Sequence, residues 1–325
     1  MKIGLTYDLR SDYLNQGYSM EETAEFDKES TIEGLETAIQ NAGHHTERIG
    51  NARQLMKKLL EGETWDMVFN ICEGLYGDGR ESLVPALLDL YKIPYVFSGP
   101  VTLGVGLNKG FAKQIVRDSG VNTPAFHVVS DLADIQDIDL EYPLFAKPVF
   151  EGTGKGIDSA SKLNSKEELE AVCKKLLTQF SQPVLVEEYL PGREFTVGVL
   201  GTGDAAMVPG AMEIVYKQAT DAIYSYENKE NYEQVVDYIA VEGQMLEDCK
   251  KIALAAWKAL NCFDGGRIDV RVDRFGKISF IEVNPLAGLN PQISDLPILC
   301  RLNNVSYQDI INTILASAIK RNFPA

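Results

Sequence analysis

No stretch of this chain stays apolar for the roughly 20 residues that a membrane-spanning helix needs, so no membrane partner is expected. Histidine is scarce: His44, His45 and His127 are the only three, and none stands beside a plausible nucleophile. That leaves little basis for a Ser–His hydrolase or a histidine-bound metal enzyme. The five cysteines, Cys72, Cys173, Cys249, Cys262 and Cys300, are odd in number and form no CxxC pair. Reduced thiols in a cytoplasmic setting are expected, without a zinc knuckle. The N-terminus opens directly into Met1 to Tyr7 and lacks the basic region and long apolar run of a signal peptide. Positive charge is also short, with 31 Lys and Arg against 47 Asp and Glu and a net charge of −16. A nucleic-acid partner needs a basic face, so that class is excluded. A small anionic ligand in a cleft is not, because local Lys, Arg and divalent cations can hold it.

What is present is the make-up of a folded globular chain. Hydrophobic residues are 45% and charged residues 24% of 325, with no low-complexity tract. That length predicts two or three packed units. A strand over residues 2–7 precedes Ser30 to Glu33, which has the spacing of a capping box opening an amphipathic helix towards Gly43. A polar helix near Gln54 to Glu61, the apolar run Asp66 to Ile71, a helix over Ser82 to Tyr91 and Pro94 to Phe97 continue the alternation. Strands alternating with helices predict a parallel sheet in residues 1–100. Residues 101–181 read as a small α+β unit with a helix near Lys109, a strand at Leu144 to Pro148, a Gly-rich turn and a helix capped near Ser165. In residues 182–325, Val184 to Glu188 and Glu194 to Leu200 are expected to begin a larger sheet, followed by helices over Leu246 to Leu260 and Tyr307 to Lys320.

The sharpest pattern is Gly266 to Val270, a turn at Asp273 to Gly276, and Ile278 to Asn284, which together read as a β-hairpin. Alternation along strands puts Arg267 and Asp269 on one face, with Glu282 and Asn284 on the same side and Ile268, Val270, Ile281 and Val283 on the apolar side. An antiparallel register brings Asp269 near Glu282. Two facing carboxylates repel unless a cation lies between them, and Mg²⁺ favours such an oxygen set completed by water and phosphates. Earlier in the chain, Lys147 ends a strand and Glu151-Gly-Thr-Gly-Lys-Gly156 follows it. Glycines let successive N–H groups converge on an anion, to which Lys147 adds a charge. Alone that loop is ambiguous, since it matches neither the P-loop nor the Rossmann pattern. Pro183 to Leu190 then leaves its sheet through a hinge, with Glu194 nearby, which suits adenine and ribose. Asn70, Glu73 and Arg80 flank the end of a parallel strand, where α/β folds bind ligands. The acidic run Tyr18 to Asp27 reads as a charged loop or a substrate gate.

At these residues the chain resembles the D-alanine–D-alanine ligase family of the ATP-grasp superfamily, from the N-terminal strand to the end. The resemblance implies an ATP-grasp fold, α/β and α+β, with an N-terminal Rossmann-like parallel-sheet domain. It implies an ATP-dependent carboxylate–amine ligase working through an acyl phosphate in cell-wall building, with two Mg²⁺ ions (Mn²⁺ an alternative occupant) and a homodimer. By the same resemblance Lys109 and Lys147 hold the ATP phosphates, the loop Glu151, Gly152, Thr153, Gly154 and Gly156 covers them, and Lys229 contacts the γ-phosphate. Glu187, Glu188, Tyr189 and Leu190 border adenine, and Glu194 holds the ribose. Asp269, Glu282 and Asn284 match the metal ligands, while Arg267 and the N–H of Gly288 match groups that stabilise the tetrahedral intermediate. Substrate contacts fall to Glu73, Arg80, Thr153, Arg267, Gly288 and Asn290, with Glu25 or Asp27 in place of the family's N-terminal glutamate and Glu230 in place of a tyrosine. The small-molecule partners are amino acids, or a carboxylate and an amine. A ligase of the same chemistry with other substrates, and a nucleotide-binding regulator without turnover, stay open as alternatives.

Overall fold

The computed structural model describes residues 1–217 and 236–324. Near the N-terminus, Lys2–Tyr7 (β1), His45–Gly50 (β2), Met67–Ile71 (β3) and Tyr95–Val96 (β4) form a parallel sheet in the order β2-β1-β3-β4. Alternate side chains of these strands enter two cores. On one face Ile3, Leu5 and Phe69 meet Ile32, Leu35 and Ile39 of the helix Glu29–Asn41 and Ile310, Ile311 and Ile314 of the last helix, Tyr307–Asn322. On the other, Val68 meets Leu55 and Leu59 of Ala52–Leu60 and Val84 and Leu88 of Leu83–Tyr91. The chain's last helix thus completes the core of its first sheet.

The helix Glu29–Asn41 does not use the expected capping box. It starts at Lys28 with no side-chain cap, because the hydroxyls of Ser30 and Thr31 instead accept hydrogen bonds from the amide of Asn290, at 3.0 and 3.1 Å. A box does form where it was not expected, between Asn51 and Gln54, at the start of Ala52–Leu60.

Phe126–Val129 (β5), Leu144–Pro148 (β6), Lys162–Leu163 (β7) and Val184–Glu188 (β8) make an antiparallel sheet in the order β5-β8-β6-β7. The helix Lys166–Phe180 packs on it through Leu169, Cys173 and Leu176. Here the expectation for Val184 to Glu188 is corrected. That strand is the centre of this middle sheet and not the opening of the next one, since both its edges are taken by β5 and β6. The third sheet is Glu194–Leu200 (β9), Ala211–Tyr216 (β10), Val236–Ala240 (β11), Gly265–Val272 (β12) and Ile278–Asn284 (β13), in the order β11-β10-β9-β12-β13. Its buried face meets Ala253, Ala256 and Trp257 of the helix Gly243–Ala259. Residues 189–193 therefore carry the chain from one sheet to the other, and the space between the two sheets lies against that crossing.

One buried carboxylate ties these units together. Asp264, with no exposed surface, accepts from the Phe97 backbone N–H at 2.8 Å, Arg321 at 2.7 Å, Ser317 at 2.8 Å and Thr202 at 3.2 Å. Its φ of +65° is a conformation that Asp and Asn tolerate better than most residues. Asp264→Asn keeps that backbone but loses the charge opposite Arg321 and part of the acceptor set. It should cost about 3 kcal/mol in urea unfolding; a loss below about 1 kcal/mol would mean that this network does not fasten the last helix to the first sheet.

Candidate active site

The hairpin of β12 and β13 carries the centre. Asp269 lies opposite Glu282, and Arg267 opposite Asn284. A β-bulge falls between Asp269 and Val270, so Val270 pairs with Phe280 and Ile281 is left as the extra residue. This corrects the simple alternation: Phe280, fully buried, takes the core position and Ile281 turns to a cavity beside Glu282. Asp269 accepts from Thr196 at 2.9 Å and from the Asn284 amide at 3.0 Å, which fixes both of its oxygens. Arg267 pairs with Asp295, at the start of the helix Asp295–Leu302, and lies 3.9 Å from Asp269.

Across the gap, Lys147 at the end of β6 lies 3.3 Å from Glu282 and 3.5 Å from Glu187, itself buried on β8. Burial alone would lower the Lys147 pKa, but the carboxylates of Glu187 and Glu282 outweigh it and hold the ammonium charged. Glu187 is likewise kept ionised: Lys113, 2.7 Å away, and Lys147 overcome its desolvation. Lys113 was not foreseen from the sequence. It is fully buried, donates to Thr123 at 3.0 Å and stands one helical turn after Lys109 on Lys109–Asp118, an i,i+4 spacing that could have drawn notice. Lys109 donates to the Glu151 carbonyl at 2.6 Å and lies 3.9 Å from Glu282; its burial lowers its pKa.

Two cavities open on this centre. One, of about 110 Å³, lies between the middle and third sheets and is lined by Phe145, Lys147, Gly154, Ile157, Glu187, Glu188, Tyr189, Leu190, Glu194 and Asp269 among others. Apolar and aromatic walls interspersed with carboxylates suit a nucleoside. Glu194 is held by Arg271 at 3.3 Å and Tyr216 at 3.2 Å, and the N–H groups of Glu188 and Tyr189 are already given to Ala125 and Pro143. The second cavity, of about 260 Å³, is enclosed by Glu25, Asp27, Glu73, Glu81, Lys109, Gly152, Thr153, Asn284, Gly288 and Asp295 with others. Arg267 and Glu282 line both.

The Gly-rich loop straddles the two. Gly152 and Thr153 face the larger cavity and Gly154 the smaller. Thr153 and Gly154 both adopt positive φ, +50° and +76°, and the Thr153 hydroxyl is buried without a hydrogen-bond partner. Such strain in a β-branched residue, with an orphaned hydroxyl beside a cavity, is the mark of a ligand-contacting turn. The Gly152 N–H donates to Glu25 at 2.9 Å, and a side chain on Gly152 would collide with that carboxylate. Glu151 and Gly156, expected at the nucleotide, line neither cavity. Glu151 pairs with Lys155 at 2.9 Å and accepts from Gln182 at 2.8 Å, while Gly156 is packed against Pro148 and Phe180.

Two further residues expected at the substrate are engaged within the protein. Arg80 does not line the larger cavity; it lies behind it, bonded to Glu25 and the Phe150 carbonyl, both at 3.0 Å, so that it braces the acidic segment against the loop. Asn290 does line it, but its amide is consumed by Ser30 and Thr31, and its oxygen by the N–H groups of Gln292 and Ile293. Asn70 is similarly a strand residue, accepting from Thr6 and the Cys72 N–H. A side chain at Gly288 would press on Ser294 at 2.8 Å, so that turn admits only glycine without a shift. Lys229 and Glu230 lie outside the described residues.

Comparison with known proteins agrees with this geometry. The family model described as D-ala D-ala ligase C-terminus matches residues 115–316. An Aquifex aeolicus D-alanine–D-alanine ligase is 32% identical over 286 residues, covering 88% of this chain and 93% of its own. The chain belongs to the D-alanine–D-alanine ligase family. It is an enzyme, an ATP-dependent ligase that forms carbon–nitrogen bonds. An uncharacterised protein of Sinorhizobium fredii is 30% identical, with 88% and 86% covered. In fold, the chain matches a Bacillus anthracis D-alanine–D-alanine ligase complexed with ATP at a TM-score of 0.73 and 21% identity, covering 99% and 98%. It also matches the VanG D-Ala:D-Ser ligase of Enterococcus faecalis at 0.75 and 19%, covering 98% and 99%. These likenesses give the ATP-grasp fold. Among the described residues no helix is long and apolar enough to cross a membrane.

The larger cavity has unusual electrostatics. Burial, reinforced by Asp8, raises the Asp27 carboxyl to about 7; burial and the Glu25 charge raise Glu81 to about 7, partly offset by Arg80. Glu73 is raised further by burial and by the charges of Glu81, Glu25 and Asp27. A carboxyl whose folded pKa lies above its unfolded value stabilises the fold below the unfolded pKa, and that stability is lost as pH rises towards the folded one. Glu81→Gln cannot ionise, so without substrates its stability relative to wild type should climb between about pH 4.5 and 7, by on the order of 2 kcal/mol. Urea midpoints at pH 5 and pH 8 check this. An equal difference at the two values would contradict the raised carboxyl.

Proposed function

We propose that this protein joins two amino acids in an amide bond by the chemistry of a D-alanine–D-alanine ligase, with the nucleotide in the smaller cavity and the amino acids in the larger. The observation that carries the reading is the wall the cavities share. Arg267 and Glu282 border both, so a carboxylate in one can reach the terminal phosphate of a nucleotide in the other.

In this reading Glu187 and Leu190 border adenine, Glu194 takes the ribose, and Lys147 and Lys109 take the phosphates. A carboxylate oxygen of the first substrate attacks the γ-phosphorus, the bond to the β-phosphate oxygen breaks, and ADP leaves. The deprotonated amine of the second substrate attacks the acyl carbon, and the C–O bond to phosphate breaks to give amide and inorganic phosphate. Arg267 and the N–H of Gly288 are assigned to the oxyanion of the tetrahedral intermediate. Thr153 is assigned to a substrate polar group. The donor set of Asp269, Glu282 and Asn284, two facing carboxylates and an amide with Thr196 orienting Asp269, fits Mg²⁺. Mg²⁺ held there would neutralise phosphate charge; two ions are the expectation, with Mn²⁺ a substitute.

The test is release of ADP and phosphate from MgATP by the purified protein, with D- and L-amino acids supplied singly and in pairs. Release that requires an amino acid sustains the reading. ATP left intact across the whole panel contradicts it.

A further inference from the structure

We infer that the larger cavity takes an amino acid carrying a second basic nitrogen, a diamino acid of the ornithine or lysine kind, as one of the two substrates. This rests on the ligase reading above and narrows its substrate class. The argument is a charge balance around the cavity wall. Four cationic residues border it. Arg10 donates to the Ala24 carbonyl at 2.5 Å, Lys109 is held by Glu151 and Glu282, Arg267 is paired with Asp295, and Lys28 is exposed. Six carboxylates border it too. Glu25 is neutralised by Arg80 and Lys155, and Glu282 and Asp295 have the partners just named.

That leaves Asp27, Glu73 and Glu81 facing the cavity with no cation within ion-pair distance among the described residues. Glu81 is only 9% exposed and, among the described residues, has no hydrogen-bond donor either. A carboxylate so buried and unpartnered is costly unless something arrives to pair with it. The raised pKa values of the three groups are the same cost seen through protonation.

Carboxylates spread along a wall match a chain with separated ammonium groups. A pair of alanines would bring two α-amino groups, one of them deprotonated for attack, and so would leave at least one of the three carboxylates unanswered. The orphaned Thr153 hydroxyl and the Glu282–Arg267 border lie on the same cavity, where the carboxylate to be activated belongs. A diamino acid would set its carboxylate towards that border and its two ammonium groups along Asp27, Glu73 and Glu81.

The experiment is steady-state ADP release with D- and L-ornithine, lysine and 2,4-diaminobutyrate against D-alanine, each alone and paired, on wild type, Glu81→Gln and Glu73→Gln. The expected result is a kcat/KM for at least one diamino acid about tenfold or more above D-alanine, with KM for it raised about tenfold in either variant. Calorimetric ADP affinity checks that each variant is folded. Turnover with D-alanine that no second basic nitrogen improves would overturn the inference and leave the ligase reading standing. Turnover with no amino acid at all would overturn both.

Discussion

Glu282→Gln should abolish turnover while leaving the fold intact. Glu282 faces Asp269 across the hairpin, borders both cavities and is the carboxylate on which Lys147 and Lys109 converge. The amide keeps the shape but removes the charge that would hold a divalent cation. Charge developing on the transferred phosphoryl group is then uncompensated, and kcat should fall about a thousandfold, equivalent to ~4 kcal/mol at the transition state. The side chain is partly open to solvent and its removal leaves Phe280 and Val283 in the core, so the thermal midpoint should stay near wild type. A variant with kcat within about tenfold of wild type at saturating Mg²⁺ would exclude Glu282 as a metal ligand.

Lys147→Ala should act on binding first. The ammonium sits between Glu187 and Glu282, is almost wholly buried and lines the smaller cavity, where a polyphosphate would meet its positive charge. Its loss should weaken ATP about a hundredfold, ~3 kcal/mol, because the phosphate would then face two carboxylates less well compensated. Lys113 still pairs with Glu187 at 2.7 Å, which lets the sheet survive the change. Calorimetry with ATP at a wild-type affinity would remove Lys147 from the phosphate site.

The sequence was most readable where function and local pattern coincide. The hairpin of Arg267, Asp269, Glu282 and Asn284 announces itself through alternation and a turn, both properties of neighbouring residues. The parallel sheet was visible for the same reason, as apolar runs alternating with helical periodicity. Misreadings arose where the deciding partner is far along the chain. Val184–Glu188 belongs to the sheet of β5 and β6 although the next strand follows after only a short crossing. Ser30 forgoes a cap because Asn290, some 260 positions later, claims its hydroxyl, and that same bond occupies the Asn290 amide. Nothing local marks Arg80 as the partner of Glu25, 55 positions earlier, to which it donates. The bulge that turns Ile281 to the smaller cavity leaves no mark in the alternation of polar and apolar residues.

The chemistry has a direct isotopic signature. An amino-acid substrate whose carboxylate oxygens are both ¹⁸O should be supplied with MgATP and the amine partner, and the released inorganic phosphate analysed by mass spectrometry. If the carboxylate attacks the γ-phosphate across the border formed by Arg267 and Glu282, each phosphate carries one labelled oxygen, transferred when the amine displaces it from the acyl carbon. Phosphate released without the label would mean that water, not a substrate carboxylate, takes the phosphoryl group, and the proposed ligase mechanism would fail.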